Sequence, residues 1–180
     1  FSTFTSFNNI TVNGGSNAPS SSSIATNSTY ANGSAKAPLV VVNSGANLIV
    51  GKGAVLEYNS NKPDSSNNKF VENGYVGLGG AIYCNGTLTM RGGLIQYCEA
   101  QCGGGVYVEK GTFYMSSGTI DHCYARDIVS YTNRVNNFHK NAGGGVYVGD
   151  NATMTLSGGT ISNNQSSREG GGISLGWLNR

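Results

Sequence analysis

Four segments of this chain repeat one short theme, and that repetition constrains the fold more than any other feature. They read GGAIYC at 79–84, GGGVYV at 103–108, GGGVYV at 143–148 and GGGISL at 170–175. The first three are each followed by two more segments of strand character: NGTLTM then GGLIQYC, KGTFYM then SGTIDHC, NATMTL then GGTISNN. A copy with less glycine begins at Pro38 and runs LVVV, ANLIV and GAVLEYN, and the opening NNITVNGG matches the second segment of a unit.

Equivalent positions form columns. The first holds Val40, Ile82, Val106, Val146 and Ile173, and the next alternate position holds Val42, Cys84, Val108, Val148 and Leu175. The second segment gives Leu48, Leu88, Phe113 and Met154, then Val50, Met90, Met115 and Leu156; the third gives Val55, Ile95, Ile120 and Ile161. Every member is apolar and alternates with residues of other character, the period of a strand with one buried face. A single unit cannot bury its apolar side, so units must stack, each column becoming a ladder with steps of about 4.8 Å. The expected fold is all-β: a right-handed, single-stranded parallel β-helix (a β-solenoid) of about five rungs with three strands per rung. A leucine-rich repeat would need a Leu-x-x-Leu-x-Leu consensus and a helical return, and neither occurs. The glycines suit crowded rung corners; no P-loop or GxGxxG pattern opens a helix.

Composition removes several classes. There are 28 glycines but 3 prolines, which excludes collagen. Charged residues are 11% and the formal net charge is +2, so there is no electrostatic case for nucleic acid as a partner. No apolar run reaches the roughly 18 residues of a membrane span. The start FSTFTSF has neither a basic n-region nor a continuous apolar one. An opening Phe and a new unit beginning just before Trp177 suggest a segment of a longer chain.

Steps in the first column are 42, 24, 40 and 27 residues (82 − 40, 106 − 82, 146 − 106 and 173 − 146). The long steps place insertions at about 59–78 and 124–142, both between a third segment and the next glycine run, hence at one corner. Residues 1–37 then form an entry rung with a Ser/Asn-rich loop, and 38–180 the repeats. Insertions on one face of a solenoid commonly build a binding surface, which singles out Tyr131, Arg134, Phe138, His139 and Lys140; tolerated loops are the bland alternative.

Other columns carry chemistry. Tyr83, Tyr107 and Tyr147 are expected to point outward, as a platform for sugar rings or a partner protein, or merely as stabilising strand pairs. Thr87, Thr89, Thr112, Thr153 and Thr155 form an outward ladder, of the kind found on ice-binding solenoids but equally a mark of strand propensity; Ile49 and Tyr114 interrupt it. Cys98 and Cys123 share a column at a spacing a disulfide tolerates, Cys84 lies in an apolar column, and no second ligand pair supports a zinc site. Sequons begin at Asn9, Asn27, Asn32, Asn85, Asn151 and Asn164, acceptors if the source is a eukaryote.

Phe70-Val71-Glu72-Asn73 followed by Gly79-Gly80-Ala81-Ile82 resembles the paired FxxN and GGA(I/L/V) motifs of polymorphic membrane proteins, β-helical surface adhesins and autotransporter passengers. Later units depart from it, with GGGV or GGGI for GGAI and IQYC, IDHC and ISNN in place of FxxN. The resemblance implies an extracellular, cell-surface role in adhesion or structure, with no catalytic or cofactor residues to carry over. Partners are then a glycan or protein on another surface, or copies of the chain end to end.

Many β-helices act on polysaccharides with carboxylates that converge from adjacent rungs. Here Asp121 has Gln96 and Ser162 as column neighbours; Glu57, Glu99, Asp150 and Glu169 lie scattered near corners, and His122 reads as a turn residue. The expected function is therefore non-catalytic, with a polysaccharide lyase or hydrolase, one using His139 and Asp127 included, and a self-assembling filament subunit as the alternatives.

Overall fold

The computed structural model describes residues 4–7, 11–13, 37–61, 77–126 and 142–176, with 4–7 and 11–13 described as backbone. The described chain is all strand and turn, with no helix. It opens with β1 (Phe4–Phe7) and β2 (Thr11–Asn13). The next pass lays down β3 (Val40–Val42), β4 (Asn47–Val50), β5 (Val55–Glu57) and β6 (Ser60–Asn61). Then come β7 (Ile82–Cys84), β8 (Thr87–Gln96) and β9 (Glu99–Ala100), followed by β10 (Val106–Val108), β11 (Thr112–Asp121) and β12 (Tyr124–Ala125). A further pass gives β13 (Val146–Val148), β14 (Thr153–Leu156), β15 (Thr160–Ser162) and β16 (Gln165–Ser166), and β17 (Ile173–Leu175) begins another.

These strands build three parallel sheets. The first, of eight strands, runs β1-β4-β8-β11-β14, with β2, β5 and β15 pairing alongside. The second runs β17-β13-β10-β7-β3 and the third β16-β12-β9-β6. Each full pass visits the second, first and third sheets in that order and places its strands beside those of the pass before.

The register follows the columns. Val40, Ile82, Val106, Val146 and Ile173 are direct partners, as are Leu48, Leu88, Phe113 and Met154. Ile82, Leu88, Met90, Ile95, Val106, Phe113, Ile120 and Val146 have no exposed surface and join one continuous apolar cluster. At about 1.5–3 kcal/mol for each such side chain, these ladders are the main cohesive force between passes.

Several expectations need correction. Leu56, not Val55, faces Ile95 and is fully buried, while Val55 pairs Leu94. The opening match shifts too: β1 pairs β4, and Thr11–Asn13 pairs the third segment, β5. The second and third segments belong to one sheet and fuse into the ten-residue β8 and β11, whose pairing slips between Met115 and Thr119. The two-residue strands of the third sheet were not foreseen, and they shorten the insertions, because β6 extends to Asn61 and β12 to Ala125.

Backbone geometry explains the glycine runs. Gly79, Gly103, Gly143 and Gly170 open each run at φ of 71°, 61°, 68° and 60°, left-handed angles that other residues adopt at a cost. The second glycine of each run is required for space instead. A Cβ on Gly80, Gly104 or Gly144 would stand 2.0, 2.4 or 2.1 Å from a backbone oxygen of a neighbouring segment.

Candidate functional site

The tyrosine column stands where its alternation places it, on the outer side of the second sheet. Tyr83 and Tyr107 stack with centroids 5.7 Å apart at 12°, and Tyr107 and Tyr147 at 5.1 Å and 3°. Rings stacked along the ladder turn their faces to each other, and Tyr83 and Tyr147 are 8% and 6% exposed, with Tyr107 between them partly buried. Cys102, Ala142, Leu78 and Tyr107 pack with Tyr147 in a small cluster separate from the main core. Burial, then the side chain of Glu109, holds the Tyr107 phenol far above its ordinary range; burial, then the neighbouring Cys102, pushes Tyr147 up to about 12.

The stems of both insertions leave the third sheet at the same corner, from β6 and β12, which flank β9. One leaves after β6, and the chain is again described from Gly77; the other leaves after Arg126 and returns at Ala142. The pass between them goes from β9 to β10 directly, through Gln101–Gly105. Asn61 ties down the first stem: its amide nitrogen donates to Leu78 O and Gly79 O, each at 3.1 Å, and its oxygen accepts from Gly77 N at 3.1 Å. Gln101 N and Cys102 N both donate to Gly77 O, at 2.9 and 2.8 Å.

Between the stems lies a buried polar group. Glu99, 1% exposed, accepts a 2.7 Å hydrogen bond from Ser60 Oγ and faces Arg126 Nε at 3.6 Å. The Arg126 guanidinium in turn sits 5.3 Å from the centre of the Tyr124 ring. Gln101 is 2% exposed and its Oε1 accepts no hydrogen bond from the described residues. Sequence reasoning set Glu99 aside as a corner residue; its pairing was invisible without the register that brings Ser60, Glu99 and Tyr124 into one column. Tyr131, Arg134, Phe138, His139 and Lys140, with Asp127, lie outside the described residues.

A second outward column, Glu57, Gln96, Asp121 and Ser162, runs along the first sheet. Gln96 Nε2 donates to Glu57 Oε2 at 2.6 Å, and Asp121 accepts from Ser162 Oγ at 2.8 Å and Asn163 Nδ2 at 2.9 Å. His122 Nδ1 lies 2.5 Å from Asp121 Oδ2. Partial burial would raise the Asp121 carboxyl, but the hydrogen bonds from His122, Ser162 and Asn163 outweigh it and hold it below its ordinary value. The next residue of each pass turns the corner in the left-handed region: Tyr58, Tyr97, His122 and Asn163 at φ of 55°, 50°, 48° and 51°. Tyr58 stacks on Tyr97 at 5.2 Å, and Tyr97 meets the His122 ring at 5.1 Å.

One residue further on, Asn59, Cys98, Cys123 and Asn164 turn inward. Asn59 Nδ2 donates to Ala37 O and Gly80 O. Asn164 accepts from Cys123 N at 2.8 Å and donates to Ile120 O at 2.9 Å. The Asn164 nitrogen, the atom a glycan would occupy, is thus engaged with Ile120 O; Asn85 is half-buried and Asn151 exposed at a turn. Asn9, Asn27 and Asn32 lie outside the described residues. The expected Cys98–Cys123 bridge is not formed here. All four cysteines are buried, and Cys98 and Cys123 each direct Sγ to the carbonyl two residues back, Gln96 O at 3.2 Å and Asp121 O at 3.4 Å. Burial and the adjacent Cys123 push the Cys98 thiol well up; burial takes Cys84 to about 11.

The threonine ladder is shorter than a grid. Thr153 Oγ1 donates to Thr112 Oγ1 at 3.1 Å, and Tyr114, 47% exposed, stands between Thr89 and Thr155. Among the described residues no group of three His, Cys, Asp or Glu side chains is placed to hold a metal ion, and no helix is long and apolar enough to cross a membrane. Comparison of the chain with protein-family models, with curated proteins and with solved structures gives no match.

Proposed function

We propose that the passes close into a right-handed parallel β-helix of about five rungs, and that this coil is a non-catalytic scaffold at an extracellular surface. It presents its insertions on one corner to a glycan or protein of another surface. Right-handed closure is favoured because a parallel crossover within one sheet is right-handed in nearly all proteins. The observation that carries the functional reading is the placement of the two insertion stems. They flank the uninserted Gln101–Gly105 connection, so the two loops spring from alternate passes, one on each side of the pass that carries Glu99 and Gln101. Rigid strands supporting variable connections are the usual arrangement for binding loops. The resemblance of the FVEN and GGAI pair to surface adhesins points the same way. Against catalysis stand the carboxylates of the outward column, Glu57 and Asp121, which are separated by Gln96 and engaged with neighbouring side chains.

The test replaces residues 62–76, and separately 127–141, with a connection as short as the one between β9 and β10. Binding to a glycan array and to cell surfaces is then measured for each variant. Both should keep the β circular-dichroism spectrum and lose binding. Binding that survives both replacements would refute the corner as the site. Turnover of uronate polymers by the intact chain would replace the reading with a lyase.

A further inference from the structure

All four cysteines are buried, and the register brings two of them together. Gln96 pairs with Asp121 and Glu99 with Tyr124, so the residues between leave Cys98 opposite Cys123 on consecutive passes. Tyr124 N donates to Cys98 O at 2.9 Å at the same point. Parallel neighbours stand about 4.8 Å apart, within the roughly 4.4–6.8 Å between Cα atoms that a disulfide spans. Cys123 Sγ also lies 4.0 Å from Ile95 O, on the pass that carries Cys98, so this sulfur leans toward its neighbour. Cys84 stands instead between Val42 and Val108, and Cys102 beside Leu78 in the small outer cluster.

The column around this pair ties passes together through side-chain amides. Asn59, on one side of it, donates to Ala37 O and Gly80 O; Asn164, on the other, accepts from Cys123 N and donates to Ile120 O. A thiol is a weak donor and a weak acceptor, so the two middle members hold their passes less firmly than an amide does. Removing both thiol protons strands no acceptor. Gln96 O and Asp121 O, which the two sulfurs face, also accept from Tyr58 N and Tyr97 N, each at 3.3 Å.

We infer that Cys98 and Cys123 form an oxidation site, joined to each other when the chain folds in the presence of a small-molecule disulfide, and that the bond clips two passes together. One thiolate attacks the small disulfide, forming a mixed disulfide and releasing one small thiol; the second thiolate attacks the protein-bound sulfur and releases the other. Two protein thiols are oxidised, one small disulfide is reduced, and the two protons end on the released thiols. In the folded chain the two residues are 0% and 1% exposed, and burial, with the adjacent Cys123, keeps Cys98 protonated. The step therefore belongs to folding, before the core closes over the sulfurs. The bond then stabilises by restricting the unfolded chain between residues 98 and 123.

This site is independent of what the insertions bind. The chain is fully reduced in urea and refolded either with a mixture of oxidised and reduced glutathione or with reduced glutathione alone. After thiols are blocked in urea, peptide mapping of the first sample should find Cys98 joined to Cys123, with Cys84 and Cys102 carrying the blocking group. Its circular-dichroism spectrum should match that of the reduced sample, and its melting temperature should be higher by about 5–15 °C. Cys98→Ala/Cys123→Ala should melt at one temperature in both buffers, whereas Cys84→Ala/Cys102→Ala should keep both the bond and the shift. Absence of a bond, a bond to Cys84 or Cys102 or between chains, or a bond that fails to raise the melting temperature would each overturn the inference.

Discussion

The second glycine of each run makes a sharp prediction, because one column holds it in differently crowded settings. Gly104 has no left-handed backbone to protect, yet a Cβ there would lie 2.4 Å from Gly144 O and 2.5 Å from both the N and C of Tyr124. Ordinary contact begins at 3.4 Å, so Gly104→Ala requires about 1 Å of displacement (3.4 − 2.4) between segments that are all backbone. A movement of that size takes the bonds from Gly104 N to Gly143 O at 3.0 Å, Gly105 N to Gly145 O at 3.1 Å and Val106 N to Gly145 O at 2.9 Å beyond hydrogen-bonding range. At about 1 kcal/mol net for each, the loss is about 3 kcal/mol. Gly171 stands in the same column, but among the described residues its Cβ would meet nothing nearer than Asn164 O at 3.1 Å. Gly171→Ala should therefore cost less than about 1 kcal/mol. Urea unfolding followed by circular dichroism gives both values. Equal destabilisation of the two variants would refute the claim that stacking distance, rather than glycine's conformational freedom, holds this column.

Asn164→Ala strands the Cys123 amide and the Ile120 carbonyl, and should lower stability by about 2–4 kcal/mol in the same measurement; expression in a glycosylating host should leave Asn164 unmodified on peptide mapping. Asp121 has a carboxyl held below its ordinary 3.8, so its contribution is complete above that value and disappears as pH falls through the lower native one. Acid unfolding of Asp121→Asn should accordingly show a flatter dependence below about pH 4 than the native chain, and an unchanged slope would remove the network around His122 from the account. Cys84, Cys98, Cys102 and Cys123 are all buried, so a thiol reagent should titrate none of them in the folded protein and all four in urea; fewer than four in urea would reveal a bridge.

The sequence revealed the ladders because the inward face repeats the same chemistry each pass, and Val106, Val146 and Ile173 did stack in register. It misplaced Val55 because Val55-Leu56 and Leu94-Ile95 are both paired apolar residues, and a period of two cannot say which of two adjacent ones points inward. The strands of the third sheet are two residues long, too short to show any period. The tyrosine column was legible as a column; what escaped was the direction of the ring planes, which decides whether faces or edges meet solvent. The Glu99 and Arg126 pair needed the third-sheet register, and the Asn59 and Asn164 caps needed the turn at Tyr58 and Asn163 that points the following residue inward.

That turn has a consequence for how the chain tolerates change. Tyr58, Tyr97, His122 and Asn163 hold the same unfavourable backbone angle, none is glycine, and three different residue types fill the four positions. The angle must be imposed by the passes on either side rather than chosen by the residue. This edge is then a row of positions whose backbone accepts more than one residue type, while the ring stack of Tyr58, Tyr97 and His122 and the bonds of His122 and Asn163 to Asp121 couple each replacement to its neighbours.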